Sequence, residues 1–215
     1  MSDEVTVVLA LKELHRAKSR LAPRFPSSDA RAALVEAMFA DTVRAVQAAG
    51  AHRIVVVSPD PLVRRRAEAL ARPRRPVLAL DERPDTRGLN AAFRLGAAAA
   101  PPDHRIVYLQ ADLPALTPDS FADAVHRAGR HRAAFVADRH GTGTALLSTS
   151  SSRGFAPAFG PDSAAAHRAA GAVELDPAGH RWPDLQCDVD TPDDLREAVA
   201  LGSGPETAVR AAART

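Results

Sequence analysis

The sequence predicts an α/β domain of three layers, in which a mostly parallel central sheet is covered by helices on both faces. Short apolar runs rich in Val, Ile and Leu alternate along the chain with longer amphipathic segments, an order typical of such sheets. The chain has 215 residues, of which 46% are hydrophobic and 25% are charged, so it can build one core of ordinary size. We therefore predict a single domain over residues 1–201 and a C-terminal tail over residues 202–215.

Three predicted strands and three predicted helices make up the first half of the chain. The strands are the apolar runs Val5–Leu11, Arg53–Val57 and Val77–Leu80. Between the first two strands, a four-residue spacing predicts a helix that contains Leu34, Met38, Thr42 and Val46. Gly50 is its stop signal, a second helix is predicted near Leu62–Ala71, and a third opens at about Leu89.

The second half begins with a fourth strand and then becomes less regular. Arg105–Leu109 is the fourth apolar run, and Ala133–Ala137 predicts a short fifth strand. Between them, Thr117 and Pro118 are the residue types of a helix N-cap and a first helical position. Beyond Asp138, glycine turns and another apolar run predict an inserted strand pair. The last segment, GSGPETAVRAAART, is expected to be a frayed tail.

The composition excludes several classes of protein. The only cysteine, Cys187, cannot form a disulfide within the chain. The N-terminus is acidic and its apolar run ends at Lys12, unlike a secretory signal, and no apolar run of about 20 residues could span a bilayer. We expect a cytoplasmic protein with no membrane partner. The net charge is only +2 and the arginine-rich stretches lack interleaved aromatic residues, so nucleic acid is not an expected partner.

Several common catalytic motifs are absent from the sequence. It has no G-x-x-x-x-G-K-[ST] phosphate loop, no G-x-G-x-x-G after the first strand, no G-x-S-x-G elbow and no H-E-x-x-H pair. What remains is a set of carboxylates and bases at loop positions, and the loops at the carboxyl ends of the strands are where α/β sheets bind ligands.

Three aspartates lie at positions of this kind. Asp112 follows the fourth strand in the stretch LQADLPAL. Asp188 and Asp190 are two residues apart in CDVDTPDDL, so in an extended segment both side chains point to the same side. Adjacent carboxylates repel each other unless a positive charge lies between them. Mg²⁺ is the favoured candidate because it prefers oxygen ligands, and an ion pair with an arginine is the alternative.

Cations follow the first strand, and a glycine and an amide open the third helix. Four cations fall within a nine-residue stretch: Lys12, Arg16, Lys18 and Arg20. Their density fits an anion site and a solvated loop equally well. Gly88 permits close approach of the backbone and Asn90 offers an amide that could read a base, although a glycine before a helix is also a common structural turn.

These segments, in this order, resemble the CofC/FbiD guanylyltransferases, which make the guanylated intermediate of coenzyme F-420. The resemblance covers about residues 5–200 and is carried by ALKELHRAKSRL, RGLNAAF, LQADLPAL, DRHGTGTALL, FGPDSAAAH and CDVDTPDDL. The combination of AKSRL, GTGT and DVDTPDDL is the most specific part. The resemblance implies a GT-A-like (Rossmann-like) nucleotidyltransferase fold and a GTP-dependent enzyme.

The resemblance also implies a role for each of the residues singled out above. The implied magnesium ligands are Asp112, Asp188 and Asp190. The implied contacts to the phosphates of GTP are Lys12, Lys18 and Arg20, and those beside the nucleoside are Gly88 and Asn90. The residues implied to receive a phosphorylated acid are Thr144, Gly160 and Ser163. Those expected to act in catalysis are Lys18, Arg20 and Asp112.

The implied reaction joins GTP to a phosphorylated three-carbon acid and releases pyrophosphate. The high content of Ala and Arg suggests a high-GC bacterial genome, for which phosphoenolpyruvate is the expected acid. Still open are 2-phospho-L-lactate or 3-phosphoglycerate as acceptor, a molybdopterin or sugar-phosphate nucleotidyltransferase, and a non-catalytic nucleotide-binding module. A homodimer and hand-over of the product to the next enzyme of the pathway also stay open.

Overall fold

A central sheet of seven strands organises the part of the chain that the structure describes. The structure is a computed structural model, and it describes residues 4–16, 18–82, 88–152 and 155–213. The strand order across the sheet is β3-β2-β1-β4-β6-β5-β7. The strands are β1 (Val5–Ala10), β2 (Arg53–Val57), β3 (Val77–Leu80), β4 (Arg105–Leu109), β5 (Ala133–Ala137), β6 (Thr144–Thr149) and β7 (Val173–Glu174).

The pairing confirms the predicted mostly parallel sheet. β1 pairs in parallel with both β2 and β4, and β3 pairs in parallel with β2. The pairing of the strands after β5 differs from the predicted inserted strand pair. β6 runs antiparallel between β4 and β5, while β7 adds two residues in parallel to β5, so β6 and β7 do not pair with each other.

Helices cover both faces of the sheet because the central strands are apolar on both sides. Val7 and Leu9 of β1 face one core cluster with residues of α1, whereas Val8 faces a second cluster with Phe93 and Tyr108. The helices are α1 (Ser28–Ala48), α2 (Pro61–Ala69), α3 (Leu89–Ala98), α4 (Pro118–Ala128), α5 (Ser163–Ala169), α6 (Pro183–Gln186), α7 (Pro192–Ala200) and α8 (Pro205–Ala212). None of the helices in the described ranges is both long and apolar enough to cross a membrane.

The C-terminal segment corrects the expectation of a frayed tail, because it contains α8. Thr207 and Glu206 donate their backbone N–H groups to the carboxylate of Asp41 on α1, over 2.8 Å and 3.3 Å. Asp41 is buried at 5% exposure and thus caps α8 from a distant helix. The sequence suggested a tail because the cap is not local. The division into residues 1–201 and 202–215 remains a prediction.

Candidate active site

Lys18 and the three predicted metal ligands meet at the carboxyl ends of β1 and β4, which lie side by side in the sheet. Lys18 follows β1, and Asp112 follows β4. The backbone N–H of Val189 donates to the carbonyl oxygen of Asp112 over 3.2 Å. Val189 is fully buried, so its neighbours Asp188 and Asp190 are directed away from the core. The loop that carries Lys18, the loop that carries Asp112 and the segment from Asp188 to Asp190 therefore meet at one edge of the sheet.

The ammonium of Lys18 lies between two of the predicted metal ligands. Its Nζ donates to Oδ2 of Asp112 and, over 2.6 Å, to Oδ1 of Asp190. The Lys18 side chain is 15% exposed, which makes it a largely buried cation. Its backbone is left-handed, with φ 55° and ψ 44°, in the turn before the short 3₁₀ helix Ser19–Leu21. A non-glycine residue in this region costs about 1–3 kcal/mol, and the two ion pairs and the burial of Leu21 help to offset that cost.

The charges at this edge do not balance within the protein. Burial alone would lower the pKa of Lys18, but the nearby carboxylates of Asp112 and Asp190 outweigh it and raise that pKa. The pKa of Asp188 is raised to about 7, first by burial and then by the negative charge of Asp112. Lys18 opposes that rise without cancelling it. The carboxylates outnumber the buried cation, so the edge favours additional positive charge.

Asp112 carries a second sign that a ligand is expected here. Its Oδ1 is buried, and within the described residues it has no hydrogen-bond partner. A buried carboxylate oxygen without a partner is costly, and a divalent cation bound by a few carboxylates would satisfy it. In the described ranges, no three His, Cys, Asp or Glu side chains are yet close enough together to hold a metal ion. The donor set therefore suits a hard cation, but the present arrangement keeps Lys18 between the ligands.

Two other cations of the first loop, Lys12 and Arg20, are more exposed than Lys18. Arg20 is 72% exposed, and its Nη1 lies 3.6 Å from Oδ2 of Asp190. Lys12 is exposed just after β1. The side chain of Arg16 lies outside the described part of the chain. Arg20 thus presents positive charge to solvent next to Asp190, and Lys12 presents a further exposed cation just after β1.

Gly88 and Asn90 both lie at the start of α3, where they shape the backbone. Gly88 has φ 112°, which favours glycine, and its N–H donates to Oε1 of Glu82 over 2.7 Å. Nδ2 of Asn90 donates to the carbonyl oxygen of Phe159 over 2.8 Å, and Oδ1 accepts from the N–H of Phe159 over 2.7 Å. The amide of Asn90 is thus engaged by the backbone of Phe159 and does not point freely into the site.

The three predicted acceptor residues separate into one open position and two buried ones. Gly160 is exposed with φ 137°. The side chains of Thr144 and Ser163 are 2% and 1% exposed, and their hydroxyl oxygens lie 3.1 Å apart. Oγ1 of Thr144 also lies 2.9 Å from Nδ1 of His167. In this structure the two hydroxyls bond inside the protein beneath the loop that carries Gly160.

His167 anchors that loop and was missed in the sequence. Its Nε2 accepts the N–H of Ala158 over 3.0 Å, so in the neutral ring Nδ1 carries the hydrogen and donates to Thr144. Burial lowers the pKa of His167 to about 4, which favours this neutral form. The signal available in the sequence was its position four residues after Ser163, on one face of a helix.

Asp138 is a further carboxylate that the sequence reading did not single out. It follows β5 directly, and its Oδ1 accepts the N–H groups of His140 and Thr142, each over 3.1 Å. Its negative charge also contributes to the raised pKa of Asp188. Asp138 follows the carboxyl end of a strand, as Asp112 does.

The fold and this edge site define a nucleotidyltransferase. The family model described as the MobA-like NTP transferase domain matches residues 35–175, so the chain belongs to that class. Closer relatives are proteins named phosphoenolpyruvate guanylyltransferase. One from Mycobacterium ulcerans is 44% identical over 95% of this chain and 92% of its own length. One from Streptomyces scabiei is 45% identical over 96% of this chain and 95% of its own length. The chain belongs to the phosphoenolpyruvate guanylyltransferase family.

Solved structures of low sequence identity share the fold. A nucleotidyl transferase from Methanothermobacter has a TM-score of 0.61 at 17% identity, covering 92% of this chain and 97% of its own. A Mycobacterium tuberculosis protein, solved in complex with manganese, has a TM-score of 0.57 at 18% identity, covering 93% of this chain and 100% of its own. The predicted GT-A-like nucleotidyltransferase fold is therefore confirmed.

Proposed function

We propose that this enzyme transfers GMP from GTP to phosphoenolpyruvate, giving enolpyruvyl-2-diphospho-5'-guanosine and pyrophosphate, as a cytoplasmic step of coenzyme F-420 biosynthesis. The observation that carries the proposal is that the ammonium of Lys18 bridges Asp112 and Asp190 at the carboxyl edge of the sheet. Relatives of this chain are named phosphoenolpyruvate guanylyltransferase. The choice of phosphoenolpyruvate over 2-phospho-L-lactate and 3-phosphoglycerate is supported by the names of those relatives.

The reaction brings two polyanions together, so its main difficulty is electrostatic. An oxygen of the phosphoenolpyruvate phosphate attacks the α-phosphorus of GTP, and the bond from that phosphorus to the β-phosphate bridging oxygen breaks. The attacking oxygen is already ionised near neutral pH, so no protein base is needed. We assign Lys12, Lys18 and Arg20 to the GTP phosphates, because all three follow β1 and because Lys18 and Arg20 both lie against Asp190. Neutralising the departing pyrophosphate in this way lowers the barrier.

We assign Asp112, Asp188 and Asp190 to a divalent cation, which we propose to be Mg²⁺. The unpartnered Oδ1 of Asp112 and the raised pKa of Asp188 support this assignment. When bound, the cation would supply electrostatic stabilisation to the phosphoryl groups. The three aspartates would hold it and take no part in proton transfer.

We place the nucleoside beside Gly88 and the start of α3, and the acceptor beside Gly160. Asn90 supports both regions, because it joins α3 to the backbone of Phe159, next to Gly160. Thr144 and Ser163 would support the acceptor region from beneath through their buried hydroxyls. The backbone at Gly160 then offers close approach to an anionic acid.

A pyrophosphate-release assay tests the proposal. GTP, ATP, CTP and UTP are each combined with phosphoenolpyruvate, 2-phospho-L-lactate and 3-phosphoglycerate in the presence of Mg²⁺. We expect the highest kcat/KM for GTP with phosphoenolpyruvate, and mass spectrometry should detect the guanylated product. Preference for another acid would reassign the acceptor, and no release with any pair would overturn the proposed reaction.

A further inference from the structure

Lys18 occupies the place where a cation is expected among the aspartates. Its ammonium touches Asp112 and Asp190, two of the three residues assigned to the divalent cation. A divalent cation on Oδ1 of Asp112, which is unpartnered within the described residues, would share both carboxylates with the ammonium of Lys18. Two positive charges held by the same pair of carboxylates lie within a few ångströms of each other and repel. Both cannot hold Asp112 and Asp190 in the arrangement described here.

We propose that Lys18 is a built-in competitor of the divalent cation, and that it must release Asp112 and Asp190 before the cation can bind all three aspartates. This inference rests on the proposed function, which assigns the aspartates to the cation. It gives Lys18 two positions: between the carboxylates when nucleotide is absent, and on the nucleotide phosphates when nucleotide and cation arrive together.

The surroundings of Lys18 allow such a release. Its ammonium is held at the end of a flexible four-carbon stem, and the neighbouring Ser19 and Arg20 are exposed. Leu21 anchors the loop because its side chain is fully buried and its N–H donates to the carbonyl oxygen of Lys18 over 2.9 Å. The stem can therefore change direction while the loop stays in place.

Competition has a consequence for the order of binding. Without nucleotide, a divalent cation must displace the ammonium of Lys18 into solvent, and Lys18 then loses its ion pairs with Asp112 and Asp190. With nucleotide bound, the displaced ammonium gains phosphate oxygens, so the same displacement costs less. Cation and nucleotide should therefore bind with positive coupling, and the free protein should bind the cation weakly.

Manganese titration of the nucleotide-free protein measures the competition directly. Isothermal titration calorimetry with Mn²⁺ compares the wild type with Lys18→Met and Arg20→Met. We expect Lys18→Met to bind Mn²⁺ at least about tenfold more tightly, and Arg20→Met to stay within about threefold of the wild type. Arg20→Met is the matched control because Arg20 also faces Asp190, at 3.6 Å, without lying between two aspartates. Equal effects of both variants, or no gain in Lys18→Met, would overturn the proposal.

A second measurement uses the wild-type protein and does not depend on how the variants fold. Lys12 and Lys18 are the only lysines of the chain, and Lys12 is exposed. Brief acetylation followed by mass spectrometry should modify Lys12 readily and Lys18 slowly. Saturating Mn²⁺ should speed the modification of Lys18 at least about fivefold and leave Lys12 unchanged. A Lys18 rate that Mn²⁺ leaves unchanged would contradict the proposal. Neither measurement includes GTP or an acceptor, so failure of the proposed reaction in the pyrophosphate assay is read separately.

Discussion

Asn90 and Phe159 are joined by two hydrogen bonds that run in opposite directions between a side-chain amide and a backbone peptide. The pair connects the first turn of α3 to the segment that carries Gly160. Phe159 also packs against Phe93 of α3, with ring centroids 4.6 Å apart. The start of α3, assigned to the nucleoside, and the Gly160 segment, assigned to the acceptor, are thus connected through the same contacts.

Replacing Asn90 with Ala should cost stability and leave the choice of base unchanged. The change leaves both backbone groups of Phe159 without their partner, which should lower the free energy of unfolding by about 1–3 kcal/mol. Urea denaturation measures this loss, with exposed Arg94→Ala on the same helix as the control. The ratio of kcat/KM for GTP and ATP should stay within about threefold of the wild-type ratio. A stable variant with altered base preference would show that Asn90 reads the base directly.

Asp188→Asn and Asp112→Asn should each remove activity while the fold persists. Each change deletes a charge that the proposed cation needs, and we expect turnover to fall by at least about a hundredfold. Circular dichroism should be unchanged, because Asn keeps the shape of the side chain and the main-chain hydrogen bond between Val189 and residue 112 remains. Asp193→Asn is the control, since Asp193 is exposed on α7 and pairs with Arg196 over 2.8 Å. Near-wild-type turnover of Asp188→Asn in saturating Mg²⁺ would remove the cation assignment.

His167 should make the protein less stable as the pH falls from about 6.5 to about 4. Its pKa is lowered to about 4 in the folded protein by burial, so in this range the unfolded chain binds more protons and stability rises with pH. The expected slope is at most about 1.4 kcal/mol per pH unit. His167→Gln removes the titration and keeps one donor and one acceptor, so its stability should depend less on pH.

Asp188 must be replaced by Asn in that experiment, because its titration changes stability with pH in the opposite direction to that of His167. Its folded pKa of about 7 lies above the ordinary value of 3.8, so its ionisation costs stability as the pH rises through that window. The comparison is therefore Asp188→Asn against Asp188→Asn with His167→Gln, by urea denaturation between pH 4.5 and pH 7. Parallel curves for these two proteins would rule out a neutral buried His167.

Asp41→Ala should release α8 from α1. In the variant, the backbone N–H groups of Glu206 and Thr207 lose the carboxylate that accepts them, at a cost of about 1–2 kcal/mol. Arg210 lies within α8, so limited trypsin digestion should cleave after Arg210 earlier in Asp41→Ala than in the wild type. Asp41→Asn retains one acceptor oxygen and should fall between the two. Equal cleavage rates in all three proteins would show that the cap does not hold the helix.

The strand pattern was predicted well because these strands are short apolar runs bounded by polar or turn residues. β2, β3, β4 and β5 begin and end where their apolar runs do. The antiparallel position of β6 could not be read, since its apolar run is compatible with either direction. The capped helix α8 was missed for a related reason: its cap, Asp41, lies more than 160 residues earlier in the chain.

Part of the site was predictable, from the strand end that Asp112 follows and from the two-residue spacing of Asp188 and Asp190. Asp112 and the pair Asp188 and Asp190 come together as their positions suggested. The engagement of Asn90 by Phe159 and the burial of Thr144 were not visible, because a sequence does not reveal which polar groups a loop brings within bonding distance. Side-chain partners that are distant in sequence depend on tertiary packing.

The hydrogen bond from Val189 to Asp112 is formed by main-chain atoms alone. Replacing an aspartate at this edge therefore changes the charge but leaves the two loops fastened to each other. This main-chain contact between the loops can therefore persist when the side chains that would bind the cation are changed. A set of neutral, cationic or thiol side chains introduced at positions 112, 188 and 190 should consequently be displayed at nearly constant separation, which makes this edge a suitable place to redesign ion preference.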